Sequence, residues 1–382
     1  MEDRYRKPIG RLVAFSAGVI LVAIALAEGL RAYRANTEAL REGTEALVVE
    51  QSHGGFQGLE GNSEIAKISG MYALQDAIKA QPDRAETVLA GLAVVVTDNS
   101  PPPAQGAAAG RLSLSAETAL RILGSRPAED GQFHFDLSNS FLRGARIPLA
   151  RFDGSDFGNS DLSGSDLNGA NLYGADLRSA DLSGANLRGA DLSHANLAGA
   201  VLCPAANVSV PALMTGSNVP TQLEDATFYS ASLAGAYLRA ANLRGAIFNN
   251  ADLSGTHLEG ADLQAAQFRN VRLDGADLSG ANAAGSNFSA RDDDPQFRTT
   301  LRNANFRGAN LENANFGFAD LSGATFQGAN LRNANFRDAI LDASIALQGA
   351  ILCDTIRDDG AVTGKDCDVQ FTPPQQPTSC RP

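Results

Sequence analysis

Histidine and cysteine are the side chains best suited to proton transfer, nucleophilic attack and metal binding near neutral pH, and this chain holds four of each. His53, His134, His194 and His257 lie far apart, and none stands near a cysteine or serine at the spacing of a nucleophile and its base. Cys203, Cys353, Cys367 and Cys380 form no CxxC pair, which argues against a zinc site. Cys353 and Cys367 flank a glycine-containing loop and are the best-placed pair for a disulfide, with free thiols as the alternative. No GxxxxGK[ST] phosphate loop occurs. The run Asp292-Asp293-Asp294 lacks the ligand spacing of an EF-hand and reads as a solvated acidic loop. The expectation is a protein with no catalytic, cofactor-binding or metal-binding residues and no cofactor. An enzyme would have to assemble its site from the unrepetitive residues 52–130.

Charge narrows the partners. Net charge is −12 with a pI near 4.8. A nucleic-acid binder needs a basic surface to displace counterions, so no nucleic-acid partner is expected.

The elements that would carry any surface function fall into five segments. Residues 1–11 form a basic tail. Residues 12–30 hold the charge-free run LVAFSAGVILVAIALA and extend to Leu30, a length that approaches the ~30 Å hydrocarbon core of a bilayer. They are expected to form a single transmembrane helix. Two other readings compete: a cleaved signal peptide, with Ala25-Leu26-Ala27 as the site and Arg4, Arg6, Lys7 and Arg11 as the basic flank, and a buried helix. Leu30, Tyr33, Thr37, Leu40, Thr44 and Leu47 continue an alternating three-four spacing, which suggests that the helix leaves the membrane as a stalk. Basic residues before the segment favour a cytoplasmic N-terminus and an exported body.

Residues 31–130 read as helical, with a linker at 99–110 (NSPPPAQGAAAG). Ser63 is placed to cap a helix with Ile65, Ile68, Tyr72, Ala73 and Ile78 on its apolar stripe. Pro82 opens a second helix, and Ser115 is placed to cap a third that ends near Gly124.

From residue 131 the period is five. Large apolar residues recur every fifth position over Leu137–Leu202, Phe228–Phe288 and Leu301–Leu341, giving 36 repeats, with a small residue two places before nearly every one. Five matches neither the 3.6 of a helix nor the 2 of a strand. The stretch ANLYGADLRSADLSGANLRGADLSHANLAGA (170–200) resembles the pentapeptide-repeat family, whose pattern is A(D/N)LXX. The resemblance implies a mainly β fold, a right-handed quadrilateral β-helix with four repeats per coil, over residues 131–352. The large apolar and small residues would point inward, and coils would stack at ~4.8 Å. Alternation of Leu and Phe from Leu301 to Leu341 supports the four-repeat coil independently. A twenty-residue coil stacks Phe306 on Phe326 and Phe316 on Phe336.

Loops at 203–223 and 289–298 break the register and would bulge from the rod, the first carrying Pro204, Pro211 and Pro220. Residues 353–382 read as a cap and a disordered tail; the cap closes the open edge of the last coil and offers a route to a homodimer. Stacked aspartates such as Asp156 and Asp176 would repel by about 0.8 kcal/mol at ~5 Å in water. Asn171, Asn186 and recurrent arginines relieve the column.

The helical region before the repeats also resembles that of a bacterial group of membrane-anchored pentapeptide-repeat proteins. The function expected is a non-enzymatic scaffold at the bacterial inner membrane, its rod binding a protein partner that the sequence does not name. The alternative implied by the family is a DNA mimic that binds a topoisomerase such as DNA gyrase, which needs a continuous negative stripe.

Overall fold

The computed structural model describes residues 57, 59, 63–80, 85–98, 100, 112–126, 133–206, 218–290, 298–342, 347–364 and 366–374. The expected transmembrane helix (12–30), the stalk, His53 and Asp292–Asp294 lie outside these residues. Among the described residues no helix is long and apolar enough to cross a membrane.

Three helices precede the rod: α1 (Glu64–Ala80), α2 (Ala85–Asp98) and α3 (Leu114–Gly124). The apolar stripe expected on α1 is shifted. Met71, Leu74 and Ala77 are buried, whereas Ile65 and Tyr72 face solvent. The reason is that α3 packs against both other helices and selects the face of α1 it covers. The cap of α3 is Ser113, not Ser115: the Ser113 hydroxyl accepts from Ala116 N at 3.1 Å. Ser115 sits inside the first turn and donates through its N–H and hydroxyl to the Glu64 carboxylate (2.9 and 3.1 Å), tying α3 to the start of α1.

The rod follows from the five-residue repeat. In most repeats the residue after the large apolar one begins a corner, and the next takes a left-handed φ near 60°, filled mainly by Gly or Asn and elsewhere by Ser, Ala, Asp225, Asp338, Leu149, His194 or Phe318. The small residue then closes the turn by donating to the apolar residue's carbonyl, as in Ala145 N to Leu142 O at 3.1 Å. Four such corners return the chain above its start. Parallel bridges therefore join residues twenty apart, such as Asp136 with Asp156 and Asp156 with Asp176. Four columns result, which begin at Asp136, Phe141, Arg146 and Arg151. The large apolar and small residues are buried from Leu137 to Ala339, Leu341 is partly buried, and the three helices and the rod share one continuous core.

Phenylalanine ladders run inside. Phe306 stacks on Phe326 at 5.0 Å and 1°, and Phe316 on Phe336 at 4.9 Å and 8°. A longer ladder crosses the block boundary: Phe228, Phe248, Phe268, Phe288, Phe316 and Phe336 stack in one column at 4.7–4.9 Å. Opposite columns touch edge to face, with Phe306 and Phe316 5.7 Å apart.

Both loop boundaries are narrower than the spacing suggests. Thr221, Gln222 and Leu223 belong to the rod, because Gln222 bridges Asn186 and Leu223 is fully buried. The first loop is pinched at its base by β1 (Ala205–Ala206) antiparallel to β2 (Asn218–Val219). Ser289 and Ala290 also belong to a corner, since Ala290 N donates to Gly317 O at 3.0 Å. Buried threonines mend both breaks. The Thr221 hydroxyl bonds Gly184 N and Cys203 O (2.9 and 3.0 Å), and the Thr299 hydroxyl stands between Asn270 N (2.9 Å) and Ser289 O (3.2 Å). A third irregularity follows Leu341: Asn330 pairs with Ile351, twenty-one residues on. The last rung is Ile356, so the rod runs past 352 into the expected cap. There β3 (Cys353–Ile356) pairs antiparallel with β4 (Val362–Gly364), and a Cys353–Cys367 disulfide fastens the hairpin.

Candidate interaction surfaces

The outer position before each large apolar residue is Asp or Asn in most repeats. The corner explains this. The side-chain oxygen accepts the N–H two residues on, as Asp156 does from Gly158 (2.7 Å) and Asp161 from Ser163 (2.9 Å). Stacked aspartates are thus held by the corners they cap, a role the charge-repulsion estimate missed. Asn adds a bond along the column: Asn310 donates to Asn282 (3.0 Å) and Asn330 to Asn310 (2.9 Å).

Arginines at the next position neutralise the acids. Arg178 pairs with Asp176 and Arg302 with Asp320 (2.7 Å), while Arg272, which stands in the acid column itself, pairs with Asp252 (3.2 Å). The side-chain hydrogen bond from Arg178 holds the Asp176 carboxyl below its ordinary range. Burial pushes Asp320 up, but bonds from the Ser322 hydroxyl and Arg302 outweigh it, and its pKa is also lowered.

The described histidines do not meet. His134 bonds the carbonyl of Gly154. His194 lies between Tyr173 and Tyr229 at 5.0 and 5.8 Å, in an aromatic strip on the outside of the rod. His257 stacks on Tyr237 at 4.7 Å. Neither pairing was recognised from the sequence. The signal that could have found them is the twenty-residue coil corrected for the first loop, which inserts sixteen extra residues between Asn186 and Gln222. Among the described residues one group brings three potential metal ligands together: Cys353, Asp354 and Cys367. Its two sulfurs are bonded to each other and offer no thiolate.

Two surface hollows stand out. One, about 460 Å³, lies where α1 and α3 meet the first coils, beside Tyr72, Arg121 and Leu149. The other, about 740 Å³, is a groove down the corner of the Phe141 column. Gly260, Gly280, Gly308, Gly328 and Gly349 line it, and Arg239 and Glu259 close one end with a 2.7 Å ion pair. Pro374 sits in this groove; a Cβ on Gly280 would come within 2.8 Å of its ring. Among the described residues Arg239 Nε and Glu259 Oε2, buried at this end, have no hydrogen-bond partner.

Comparison with known proteins agrees with the repeat geometry. The chain matches the family model for pentapeptide repeats (8 copies) over residues 135–169, 170–203, 221–260, 261–290, 299–338 and 318–356. No curated protein matches it at a significant level. Among solved structures it is similar to HetL, a pentapeptide-repeat protein involved in heterocyst differentiation regulation from the cyanobacterium Nostoc sp. strain PCC 7120. The identity is 31%, over 61% of this chain and 93% of that one, with a TM-score of 0.21. It is also similar to full-length QnrB1, a plasmid-mediated fluoroquinolone resistance protein, at 21% identity over 55% and 89% of the two chains, with a TM-score of 0.27. A third similarity is to a pentapeptide-repeat protein of the Arabidopsis thaliana thylakoid lumen, at 23% identity over 44% and 72%, with a TM-score of 0.15. With the family model matching more than half of its length, and its residues stacked four repeats to a coil, the chain belongs to the pentapeptide-repeat family.

Proposed function

We propose that this protein is a non-enzymatic scaffold, anchored in the bacterial inner membrane by residues 12–30, whose rod presents its loops and corner groove to another protein. The observation that carries this reading is the continuous ladder from Asp136 to Ile356 around an interior filled by side chains. Such a rod is rigid and acts through its outside. The apolar run at 12–30 supports the anchor. Disulfide-bonded Cys353, Cys367 and Cys203 support an exported rod, because disulfides persist outside the reducing cytoplasm.

The topoisomerase alternative draws less support. In the Asp136 column the acids are interrupted by Asn196, Ser232 and Arg272, and Asp176, Asp252 and Asp320 each pair with an arginine. A duplex mimic needs an unbroken negative stripe. The test is topology: reporters active only in the cytoplasm or only outside it, fused after Pro382. The expected result is an external signal in the membrane fraction. A cytoplasmic signal overturns the orientation and returns gyrase binding to the test list; a signal in the soluble fraction removes the anchor.

A further inference from the structure

We infer that the hollow where α1 and α3 meet the first coil is a peptide-binding site, which takes an extended segment carrying an apolar side chain next to a carboxylate. It lies apart from the loops and the corner groove, and it does not depend on the membrane anchor.

The first observation is an unfinished ladder. A rung residue pairs with the coil below through both its N–H and its C=O, as Asp166 does with Ala145 O and Ile147 N (2.8 and 2.9 Å). The four rungs of the first coil have no coil beneath them. The helical region closes two of these. Phe141 N donates to Ser100 O at 2.7 Å, and Arg151 N to Gly124 O at 2.8 Å, while the Arg126 guanidinium donates to Arg151 O at 3.2 Å. The Asp136 and Arg146 rungs stay open: among the described residues neither has a partner for its backbone N–H or C=O. An open rung is a template for another extended chain. The Asp136 rung opens beside Glu86 and its own carboxylate, whereas the Arg146 rung lines the 460 Å³ hollow.

The second observation is charge. In a chain of net charge −12, this hollow is lined by two arginines, Arg121 and Arg146, and by no acidic residue. Arginines higher in the rod pair with carboxylates, such as Arg302 with Asp320. Arg121 instead donates to the Tyr72 hydroxyl at 3.3 Å, and among the described residues neither Arg121 nor Arg146 has an acidic partner. Two guanidinium forks beside a free backbone N–H form a donor set for a carboxylate.

The third observation is apolar exposure on the same walls. Leu149 is 73% exposed and Tyr72 44%. Leu149 takes a φ of 59°, and among the described repeats it is the one branched aliphatic side chain at that left-handed corner position. Its side chain reaches over Gly169, where a Cβ would come within 2.7 Å of it, so the coil above leaves it room. A leucine there strains the backbone and gains the fold no burial. An apolar side chain laid across Leu149 and Tyr72 supplies that burial, while its own backbone pairs with Arg146 and the neighbouring carboxylate meets the two guanidiniums.

The test uses the full-length chain in detergent micelles and three peptides: acetyl-Thr-Val-Leu with a free C-terminus, acetyl-Val-Leu-Asp amide, and acetyl-Thr-Val-Leu amide, which has no carboxylate. At least one carboxylate peptide is expected to bind with a Kd below about 1 mM, and the third at least about tenfold more weakly. Binding of the first identifies a chain terminus as the ligand, and binding of the second an internal acidic segment. Bound peptide should slow amide hydrogen exchange at Arg146 and protect Arg121 and Arg146 from phenylglyoxal. Arg121→Gln and Arg146→Gln should each weaken binding about tenfold, and Arg143→Gln, in the neighbouring column, should leave it unchanged. Leu149→Gly should raise the urea midpoint and weaken binding at least about fivefold. Equal binding of carboxylate and amide peptides, binding that leaves Arg146 exchange unchanged, wild-type binding by Leu149→Gly, or no binding of either carboxylate peptide overturns the site.

Discussion

Replacing Phe268 tests whether the internal rings act as a stack or as separate fillers. Phe268 is fully buried, with Phe248 at 4.9 Å and Phe288 at 4.7 Å, both nearly parallel to it. Leu172 and Leu192 occupy the same column lower in the rod, so a leucine fits the backbone there. Phe268→Leu keeps most of the buried volume and deletes two ring contacts. At about 0.5–1.5 kcal/mol for each contact, the cost is about 1–3 kcal/mol. Phe268→Ala leaves a cavity in a rigid coil and costs about 3–5 kcal/mol. Phe228→Leu, at one end of the ladder, loses one parallel contact, that with Phe248, and costs about half as much as Phe268→Leu. Urea unfolding followed by circular dichroism measures these differences, with amide hydrogen exchange along the column as a check that coils unfold together. A Phe248–Phe268 double-mutant cycle isolates the coupling, expected at about 0.5–1.5 kcal/mol. Additive single mutants, or Phe268→Leu within about 0.3 kcal/mol of wild type, would refute the stack and leave hydrophobic volume as the whole effect.

Three further outcomes follow from particular contacts. Thr299→Val preserves shape but strands the Asn270 N–H at the second break. It should cost about 1–3 kcal/mol and speed exchange of that amide, whereas Thr300→Val in the next residue, whose hydroxyl has no partner among the described residues, should cost little. Asp176 and Asp320 have depressed pKa values in the fold, so their contribution to stability is complete above the ordinary carboxylate pKa of about 3.9. It is lost as pH falls through their folded values, and Asp176→Asn with Asp320→Asn should flatten the acid limb of a stability–pH curve below about pH 4. Gly235 and Gly280 share a left-handed φ, but only Gly280 faces Pro374. Gly235→Ala should lower stability by about 1 kcal/mol, and Gly280→Ala should in addition raise hydrogen exchange in the segment around Pro374.

The repeat was legible because one short-range rule governs each corner. A large apolar residue, a small one and a corner with a left-handed φ recur at a spacing that no helix or single strand tolerates. The Phe alternation even revealed the coil size, since stacking of like on like requires twenty residues. The helical region was less legible. The stripe on α1 came out shifted because α1 and α3 choose their contact face jointly, and neither segment alone records that choice. Ser113 and Ser115 both suit a helix cap, and a carboxylate on a different helix, Glu64, decides between them.

By itself, then, the amino-acid sequence determined the architecture of the rod, the sites of its two long interruptions and the pairing available to Cys353 and Cys367. The tertiary structure decided everything that depends on adding coil lengths and loop insertions together. It set Phe288 on Phe316, His194 between two tyrosines, Thr299 in the gap left by a loop, and Pro374 in a groove of glycines from five coils. The physical reason is one of range. Corner geometry is fixed within five residues, whereas a surface column gathers residues that meet only after the chain has closed a full turn.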